Sequence, residues 1–308
     1  MTNDHPTLRI GTRGSALALR QSEWVAAELR RLHRGLEVAL AIIKTRGDKI
    51  LDRPLTEVGG KGLFVKEIES ALLAGDVDLA VHSLKDVPTE TPEALALLAF
   101  PPREDPRDVL VCRDAAGLAD LHPGAQVATS SLRRMAQLKH VRPDLSFVPI
   151  RGNVDTRLRK LREGEADVVV LAGAGLIRLG LPEVITEWLS LEICVPAAGQ
   201  GTLCLEGRAD DARTRALVAP LDSPASRTSA LAERAVVAAL EGGCEIPLGV
   251  LAETRDGNLH LVAALAALDG SRILREEGVG SADDPQALAR GVVARLRARG
   301  AAEIIARA

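Results

Sequence analysis

The regular alternation of short apolar strands with helical segments is the feature that most constrains the fold. A strand at residues 8–11 is followed by a helix at 15–32 and a strand at 38–43. A helix at 64–73 and a buried strand at 78–82 come next. Alternation of this kind is typical of α/β proteins, and the continuous apolar strands indicate sheets covered by helices on both faces.

The same alternation occurs a second time along the chain, with predicted strands at 109–112, 126–128, 145–149 and 167–172 and helices at 131–140 and 154–162. Segments 10–15 and 127–131 both run from strand to threonine, serine and helix. Candidate crossings between the two sets lie at 101–106 and at 196–201, and a strand at 203–206 follows the second. This pattern predicts two similar lobes that enclose a hinged cleft.

The pattern changes near residue 223. It predicts a small C-terminal α+β domain with a helix at 226–240, strands at 248–252, 259–265 and 273–279, and a closing helix at 285–299. This domain would present Cys244 in a glycine turn. We therefore expect three domains, with boundaries at 1–101 (plus about 200–219), 106–196 and 222–308.

Composition excludes several classes of function. The 308 residues carry a net charge of −3, and aromatic residues make up 2% with no tyrosine. Neither a basic stripe nor an aromatic stacking surface for nucleic acid is therefore expected. No apolar run is long enough for a membrane span and no secretory signal is visible, so we expect a cytoplasmic protein. Four scattered cysteines lack metal-binding spacing, so we expect free thiols and no metal.

Arginines and hydroxyl residues recur at predicted helix starts. Thr129 and Ser131 precede Arg133 and Arg134, and Arg13 lies beside Ser15 in the same way. Arg151 and Arg157 flank the start of a third helix. Helix N-termini favour anions, and guanidinium groups pair with carboxylates or phosphates. A capped helix with solvent-facing arginines explains any one site equally well, but three such sites predict a ligand with several negative charges.

Lys85 and Asp86 end the apolar strand at 78–82 in a dense polar group. An ionised carboxylate there can stabilise a developing cation and move a proton, whereas a surface salt bridge is the plain alternative. The segment 59–62 lacks the spacing of a phosphate loop, and we interpret 45–62 as a flexible lid.

Cys112, Cys194 and Cys204 lie in apolar stretches and are expected to be core residues. Cys244 differs because it follows two glycines and precedes Glu245, Ile246 and Pro247. No histidine lies near Cys244 in the sequence, so a cysteine–histidine hydrolase is unsupported. Its thiol can instead be a permanent covalent tether.

Together these motifs resemble the porphobilinogen deaminase family, also called hydroxymethylbilane synthases. The resemblance rests on nine collinear segments, at 10–15, 45–48, 58–64, 80–88, 103–108, 129–134, 151–153, 197–201 and 241–244. It implies two lobes like type 2 periplasmic binding proteins and a third, C-terminal domain. It also implies a monomeric transferase of tetrapyrrole and haem biosynthesis. Such an enzyme adds four porphobilinogens to a dipyrromethane cofactor, with loss of ammonia, and then releases hydroxymethylbilane by hydrolysis.

The resemblance also implies roles for individual residues. Cys244 would hold the dipyrromethane by a thioether, and Asp86 would be the catalytic carboxylate. The cofactor's carboxylates would be bound by Lys85, Thr129, Ser131, Arg133, Arg134 and Arg157. Porphobilinogen and the growing polypyrrole chain would be bound by Arg13, Ser15, Phe64, Arg151, Arg178 and Gln200. Asp155 would oppose carboxylate binding if it pointed inward, so we expect it to face solvent.

The main alternative is a non-catalytic two-lobed protein that binds a polycarboxylate ligand. That hypothesis explains the arginines but gives no reason for Lys85, Asp86 or the Cys244 turn. A nucleic-acid-binding protein would need a basic stripe that the near-neutral charge does not supply.

Overall fold

The computed structural model describes residues 7–49, 62, 65–240 and 246–307. Its strands are β1 Leu8–Thr12, β2 Val38–Ile42, β3 Leu79–Ser83, β4 Leu95–Ala99, β5 Asp108–Cys112, β6 Gln126–Ala128, β7 Ser146–Val148, β8 Val168–Ala172, β9 Glu187–Trp188, β10 Leu203–Arg208, β11 Leu248–Arg255, β12 Asn258–Ala266 and β13 Ile273–Ser281. Its α-helices are α1 Ala16–Leu32, α2 Arg46–Lys49, α3 Lys66–Ala74, α4 Leu132–Val141, α5 Val154–Arg162, α6 Gly173–Leu179, α7 Ala212–Val218, α8 Pro224–Ala239, α9 Pro285–Ala298 and α10 Ala301–Ile305.

The chain divides into two compact units, and the first comprises Met1–Arg103 with Thr202–Arg227. Its five-stranded sheet has the order β2-β1-β3-β10-β4. β1 is parallel to β2 and β3, whereas β10 is antiparallel to both of its neighbours. Ser15 begins α1 because its side chain accepts from the Ala18 N–H, and Gly75 ends α3 in the left-handed conformation.

Apolar clusters lie on both faces of this sheet. One includes Ile10, Val81 and Leu205 of the strands with Val25 and Leu29 of α1. The other joins Ala80 of β3 to Ile68 and Leu72 of α3. The sheet is thus covered on both faces, as its continuous apolar strands predicted.

The second unit comprises Glu104–Gly201 with Thr228–Ala308. Its five-stranded sheet has the order β7-β6-β8-β5-β9. β6 is parallel to β7 and β8, and β5 is antiparallel to β8 and β9. Strand order and direction therefore match those of the first sheet, with β5 in the place of β10. In each sheet the antiparallel strand comes directly after one of the predicted crossings.

A second sheet of this unit is an antiparallel meander, β11-β12-β13. Its apolar face forms a core with α8 and α9, in which Val236, Val250, Leu261 and Val292 are fully or almost fully buried. Val195 packs with residues of β11 and β12 in a separate small cluster. The free edge of β13 is partly covered, because Arg295 of α9 and Arg299, which caps the C-terminus of α9, donate to the carbonyls of Glu277 and Arg275.

The predicted fold class is confirmed: two α/β lobes of the same topology are accompanied by a small C-terminal sheet with helices. The sequence pattern did not predict β4, β9, α2, α6, α7 or α10. The division into three domains stays a prediction, since Thr228–Ala308 belongs to the second compact unit. Most of the predicted lid lies outside the described residues. No described helix is both long and apolar enough to cross a membrane.

Gly249 of β11 offers a test of the packing within the second unit. A Cβ at this position would lie 2.3 Å from the Val195 carbonyl oxygen. Gly249→Ala should therefore lower the free energy of unfolding by about 1–3 kcal/mol, measured by urea denaturation. Gly291→Ala in α9 is the control: its Cβ would have its nearest contact at 3.7 Å. It should be neutral or stabilising, and equal stability of the two variants would contradict the packing.

Candidate functional site

Asp86 lies at the end of β3 on a single-turn 3₁₀ helix, Leu84–Asp86. Leu84 anchors this turn because its side chain is buried and its N–H donates to the Thr202 carbonyl at 2.9 Å. The Val87 N–H closes the turn by donating to the Leu84 carbonyl at 3.0 Å. Asp86 is exposed and Lys85 is half-buried. A rigid anchor thus presents an accessible carboxylate at the end of a strand.

A pocket of about 60 Å³ in the first unit is lined by Asp86, Arg13 and Ser15. Ser15 is the N-cap of α1, so the positive end of that helix lies at the pocket. Gln21 of α1 donates to the hydroxyl of Ser83 at 3.1 Å, which ties the helix to the end of β3. Three of the predicted site residues are therefore brought together here by elements that are far apart in sequence.

The N-terminus of α4 is the corresponding feature of the second unit. Ser131 is its N-cap and accepts from the Arg134 N–H at 3.4 Å. Thr129 is buried and accepts from the Ser131 N–H at 3.1 Å, whereas Ser131 remains half-exposed. The predicted helix start is thus an ordered cap that an anionic ligand can approach.

Arg133 and Arg134 point into the protein rather than to solvent, with exposed fractions of 5% and 6%. Both pair with Asp108, the first residue of β5, which is fully buried. Arg133 donates to Asp108 at 2.5 Å and to the Val195 carbonyl at 2.8 Å. Arg134 donates to Asp108 at 2.7 and 2.9 Å through two nitrogens, and to the Val170 carbonyl at 2.9 Å.

The charges of this buried cluster do not cancel. Burial opposes ionisation of Asp108, but Arg133 and Arg134 outweigh it and lower the pKa of this carboxyl group. Burial raises the pKa of the neighbouring Cys194 thiol to about 12, so Cys194 stays neutral. Two guanidinium charges and one carboxylate leave one net positive charge beside the start of α4. The stabilisation from ionised Asp108 is complete above about pH 4, the usual pKa of an aspartate in an unfolded chain. It is lost only as the pH falls through the lower pKa that Asp108 has in the folded protein.

Gln200 and Arg178 make hydrogen bonds that fix the end of the segment 196–201, the second predicted crossing. The Gln200 side-chain amide donates to the Pro106 carbonyl at 2.8 Å and to Asp108 at 2.9 Å. Arg178 donates to the Gly201 carbonyl at 2.6 Å, and burial, opposed by the charge of Glu104, lowers the pKa of its guanidinium to about 10. A Cβ on Gly201 would lie 2.3 Å from the Glu104 carbonyl oxygen. Both predicted ligand-binding side chains therefore also have partners inside the protein.

Arg151 and Arg157 flank the start of α5 and are both half-buried. Arg157 donates to the Gly152 carbonyl at 2.9 Å. Asp155 is exposed, which confirms the expectation that it faces solvent. Two of the predicted site residues, Phe64 and Cys244, lie outside the described residues.

Sequence reasoning missed Asp108 as a site residue. The resemblance included the segment 103–108, but no role was assigned to its last residue. The available signal was an acidic residue at the start of an apolar strand, where a buried carboxylate needs a cationic partner. Twenty-five and twenty-six residues separate Asp108 from its two arginines, so spacing alone does not identify the pair.

The fold and these groups define a two-lobed α/β protein with donor sets suited to an anionic ligand. The chain belongs to the porphobilinogen deaminase family. Residues 8–216 match the family model "Porphobilinogen deaminase, dipyromethane cofactor binding domain", and residues 228–298 match "Porphobilinogen deaminase, C-terminal domain". The chain is therefore an enzyme of the transferase class, and these matches do not favour a non-catalytic binding protein.

Curated relatives span almost the whole chain. The porphobilinogen deaminase of Syntrophotalea carbinolica is 52% identical over 97% of this chain and 95% of its own. That of Geobacter sulfurreducens is 49% identical over 97% of this chain and 94% of its own.

Solved structures of solute-binding proteins show a remote likeness. An ancestral cationic amino acid solute-binding protein has a TM-score of 0.45 and 17% identity over 70% of this chain and 87% of its own. A putative methionine-binding lipoprotein from Bacillus subtilis has a TM-score of 0.42 and 12% identity over 70% of this chain and 89% of its own.

Asp108→Asn tests the buried cluster, because the amide keeps the shape but removes the only negative charge facing Arg133 and Arg134 among the described contacts. We expect the free energy of unfolding to fall by about 3–5 kcal/mol in urea denaturation at pH 7. Asp155→Asn, at an exposed carboxylate of the same unit, should change it little. The interpretation would be wrong if the two variants were equally stable.

Proposed function

We propose that this chain is a hydroxymethylbilane synthase. It condenses four porphobilinogens head to tail on an enzyme-bound dipyrromethane, with loss of ammonia at each addition, and then releases the linear product by hydrolysis. Two family domains that together span residues 8–216 and 228–298 support this activity. So do relatives about half identical in sequence along 97% of the chain. Porphobilinogen is the substrate, and we expect the enzyme to act as a cytoplasmic monomer.

The observation that carries the proposal is the net positive charge buried beside the N-terminus of α4. Each pyrrole of the substrate and product bears an acetate and a propionate, so the ligand is a polyanion. The half-exposed hydroxyl of Ser131 and the first N–H groups of α4 form a donor set that fits carboxylates. The residues present therefore fit a dipyrromethane, which when bound supplies the pyrrole end to which substrate is joined.

Within this proposal the cofactor is attached to Cys244 by a thioether. Its carboxylates are bound by the start of α4 and by the groups that the family resemblance assigns to it, namely Lys85, Thr129, Ser131, Arg133, Arg134 and Arg157. Arg133 and Arg134 are both paired with Asp108, so the three side chains together carry one net positive charge. The two arginines therefore attract the cofactor's carboxylates through this net charge and not as two unpaired guanidinium groups. Long-range attraction of this kind needs no rearrangement of the buried pairs.

Asp86 is the proposed catalytic carboxylate. Its anchored turn and exposed side chain allow it to lie against a substrate ring and to stabilise the positive charge that develops as ammonia leaves. Arg13 and Ser15 line the same pocket and provide donors for a substrate carboxylate. Arg151, Arg178, Gln200 and Phe64 complete the proposed contacts to the substrate and the growing chain.

Intact-protein mass tests the covalent attachment. Denatured protein from cells that make porphobilinogen should carry an adduct two pyrroles in size, and peptide mapping should place it on Cys244. Cys244→Ser should lack the adduct. Cys112→Ser, at a half-buried thiol of the second unit, should retain it. An unmodified wild-type chain would refute the proposed tether.

Asp86→Asn tests the catalytic role. We expect the variant to keep the covalent adduct while its turnover of porphobilinogen falls by about 100-fold or more, because the amide cannot stabilise the developing cation. Asp76→Asn removes another exposed carboxylate of the first unit and should leave turnover near normal. Near-normal turnover in Asp86→Asn would remove Asp86 from this role.

A further inference from the structure

A buried histidine–glutamate pair in the first unit has no part in the mechanism given so far. The Nε2 atom of His82 lies 3.0 Å from an Oε2 atom of Glu206, on the neighbouring strand β10. The two side chains have exposed fractions of 5% and 0%. Oε1 of Glu206 is buried and has no hydrogen-bond partner among the described residues. Such a pair is costly to bury, and apolar side chains of similar size would pack at least as well.

The position of the pair links it to the chemistry. His82 lies in β3, and the turn that carries Asp86 follows directly after this strand. Asp86 is therefore only four residues further along the chain. It also lines the pocket that contains Asp86, Arg13 and Ser15. Glu206 lies beside His82 on the neighbouring strand β10, where Cys204 pairs with His82 and Glu206 pairs with Ala80. A histidine that is hydrogen-bonded to a carboxylate through one ring nitrogen is the arrangement that orients and activates histidine in many enzymes.

The hydrogen bond determines which ring nitrogen can act. A carboxylate oxygen accepts, so Nε2 of His82 is the donor to Glu206 and carries a proton. In the neutral ring, Nδ1 then holds the lone pair that can accept a second proton. Glu206 stabilises the imidazolium that results, because an opposite charge lies next to it.

We propose that His82, oriented by Glu206, accepts the proton that each condensation releases. Each condensation breaks the carbon–nitrogen bond of the substrate's aminomethyl group and releases ammonia. It forms a carbon–carbon bond from the electron pair of the acceptor ring, and the attacked ring carbon must then lose its proton. Nδ1 of His82 takes this proton while the carbon–hydrogen electron pair restores the aromatic ring. The proton then passes to ammonia or to water, which completes the balance.

This inference rests on the proposed role of Asp86 and explains why one group is not enough. If Asp86 accepted the ring proton, it would lose the negative charge that the next substrate requires. Two separate groups allow Asp86 to remain an anion through repeated additions.

Other charged or titratable groups surround the pair and affect its proton balance. Glu69 and Lys66 of α3 lie on the same side of the sheet, and burial, followed by the charge of Glu206, raises the pKa of Glu69. Cys204 lies opposite His82 across β3 and β10. Arg13 and Asp86 line the same pocket as His82. Because Glu69 also lies near Glu206, variants of the pair are compared at one fixed pH as well as across pH.

Porphobilinogen deuterated at the ring carbon that is attacked provides the kinetic test. His82→Asn should lower kcat by about 100-fold or more with little change in KM, and its deuterium isotope effect on kcat should exceed that of the wild type. Glu206→Gln should show a smaller loss of kcat in the same direction. Asp78→Asn, which removes a largely buried carboxylate paired with Arg9 and Arg208, is the structural control and should show no rise in the isotope effect.

Nuclear magnetic resonance of ¹⁵N-histidine-labelled protein gives a readout that does not depend on turnover. The His82 signals, assigned by their loss in His82→Asn, should show a protonated Nε2 and an unprotonated Nδ1 in the resting enzyme above neutral pH. A protonated Nδ1 with an unprotonated Nε2 would overturn the proposal.

The outcomes separate this inference from the proposed function. Wild-type kcat and isotope effect in His82→Asn, together with loss of turnover in Asp86→Asn, would overturn the role of His82 and leave that of Asp86. Normal turnover in both variants would remove both roles. If His82→Asn does not fold, Glu206→Gln decides, since a wild-type isotope effect in a folded Glu206→Gln protein would also overturn the proposal.

Discussion

The buried cluster of Asp108, Arg133 and Arg134 is the interaction on which the second unit depends. It joins the first residue of β5 to the first turn of α4, and through Arg134 it reaches the Val170 carbonyl of β8. Arg133 and Gln137 also bind the backbone of Val195, and Gln200 adds a donor to Asp108. Sheet, helix and the segment after residue 196 therefore meet at one carboxylate. Removal of that carboxylate would leave two buried cations without compensation.

Within the proposed function, the same cluster supports both the fold and the binding of an anionic ligand. A fully neutral ion pair would have fixed α4 equally well, but the second arginine leaves one positive charge behind the helix cap. This charge adds to the partial charge of the helix N-terminus and is shielded from salt by burial. The first unit differs, because its candidate site residue Asp86 is an exposed carboxylate on a turn anchored by buried Leu84.

The sequence was sufficient to predict the fold class and most elements. Alternating apolar strands and helices predicted both lobes, and the repeated strand–threonine–serine–helix segment predicted that they are alike. The starts of the helices at Ser15 and Ser131 were also predicted, and both serines are the N-caps of these helices, since the signals for a helix start are local. β4 and α6 were missed because the regions around Leu95 and Gly173 carry weak periodicity and depend on tertiary packing.

The site was predictable only in part, for a physical reason. Local sequence indicates that an arginine lies near a helix start, but it does not indicate whether the side chain turns outward or inward. Arg133 and Arg134 turn inward because Asp108 lies beneath them, and that pairing is non-local. Glu206 is separated from His82 by 124 residues, so no spacing rule could join them. Asp155 was predicted correctly as exposed, because an inward carboxylate would repel an anionic ligand.

The central claim is that the start of α4, backed by the net positive cluster, binds carboxylates of the dipyrromethane. A crystal structure of the enzyme isolated with its cofactor tests this most directly. We expect a cofactor carboxylate within hydrogen-bond distance of Ser131 or the first N–H groups of α4, with Asp108 still paired to both arginines. Cofactor carboxylates bound entirely elsewhere, with the start of α4 in contact only with water, would contradict the account.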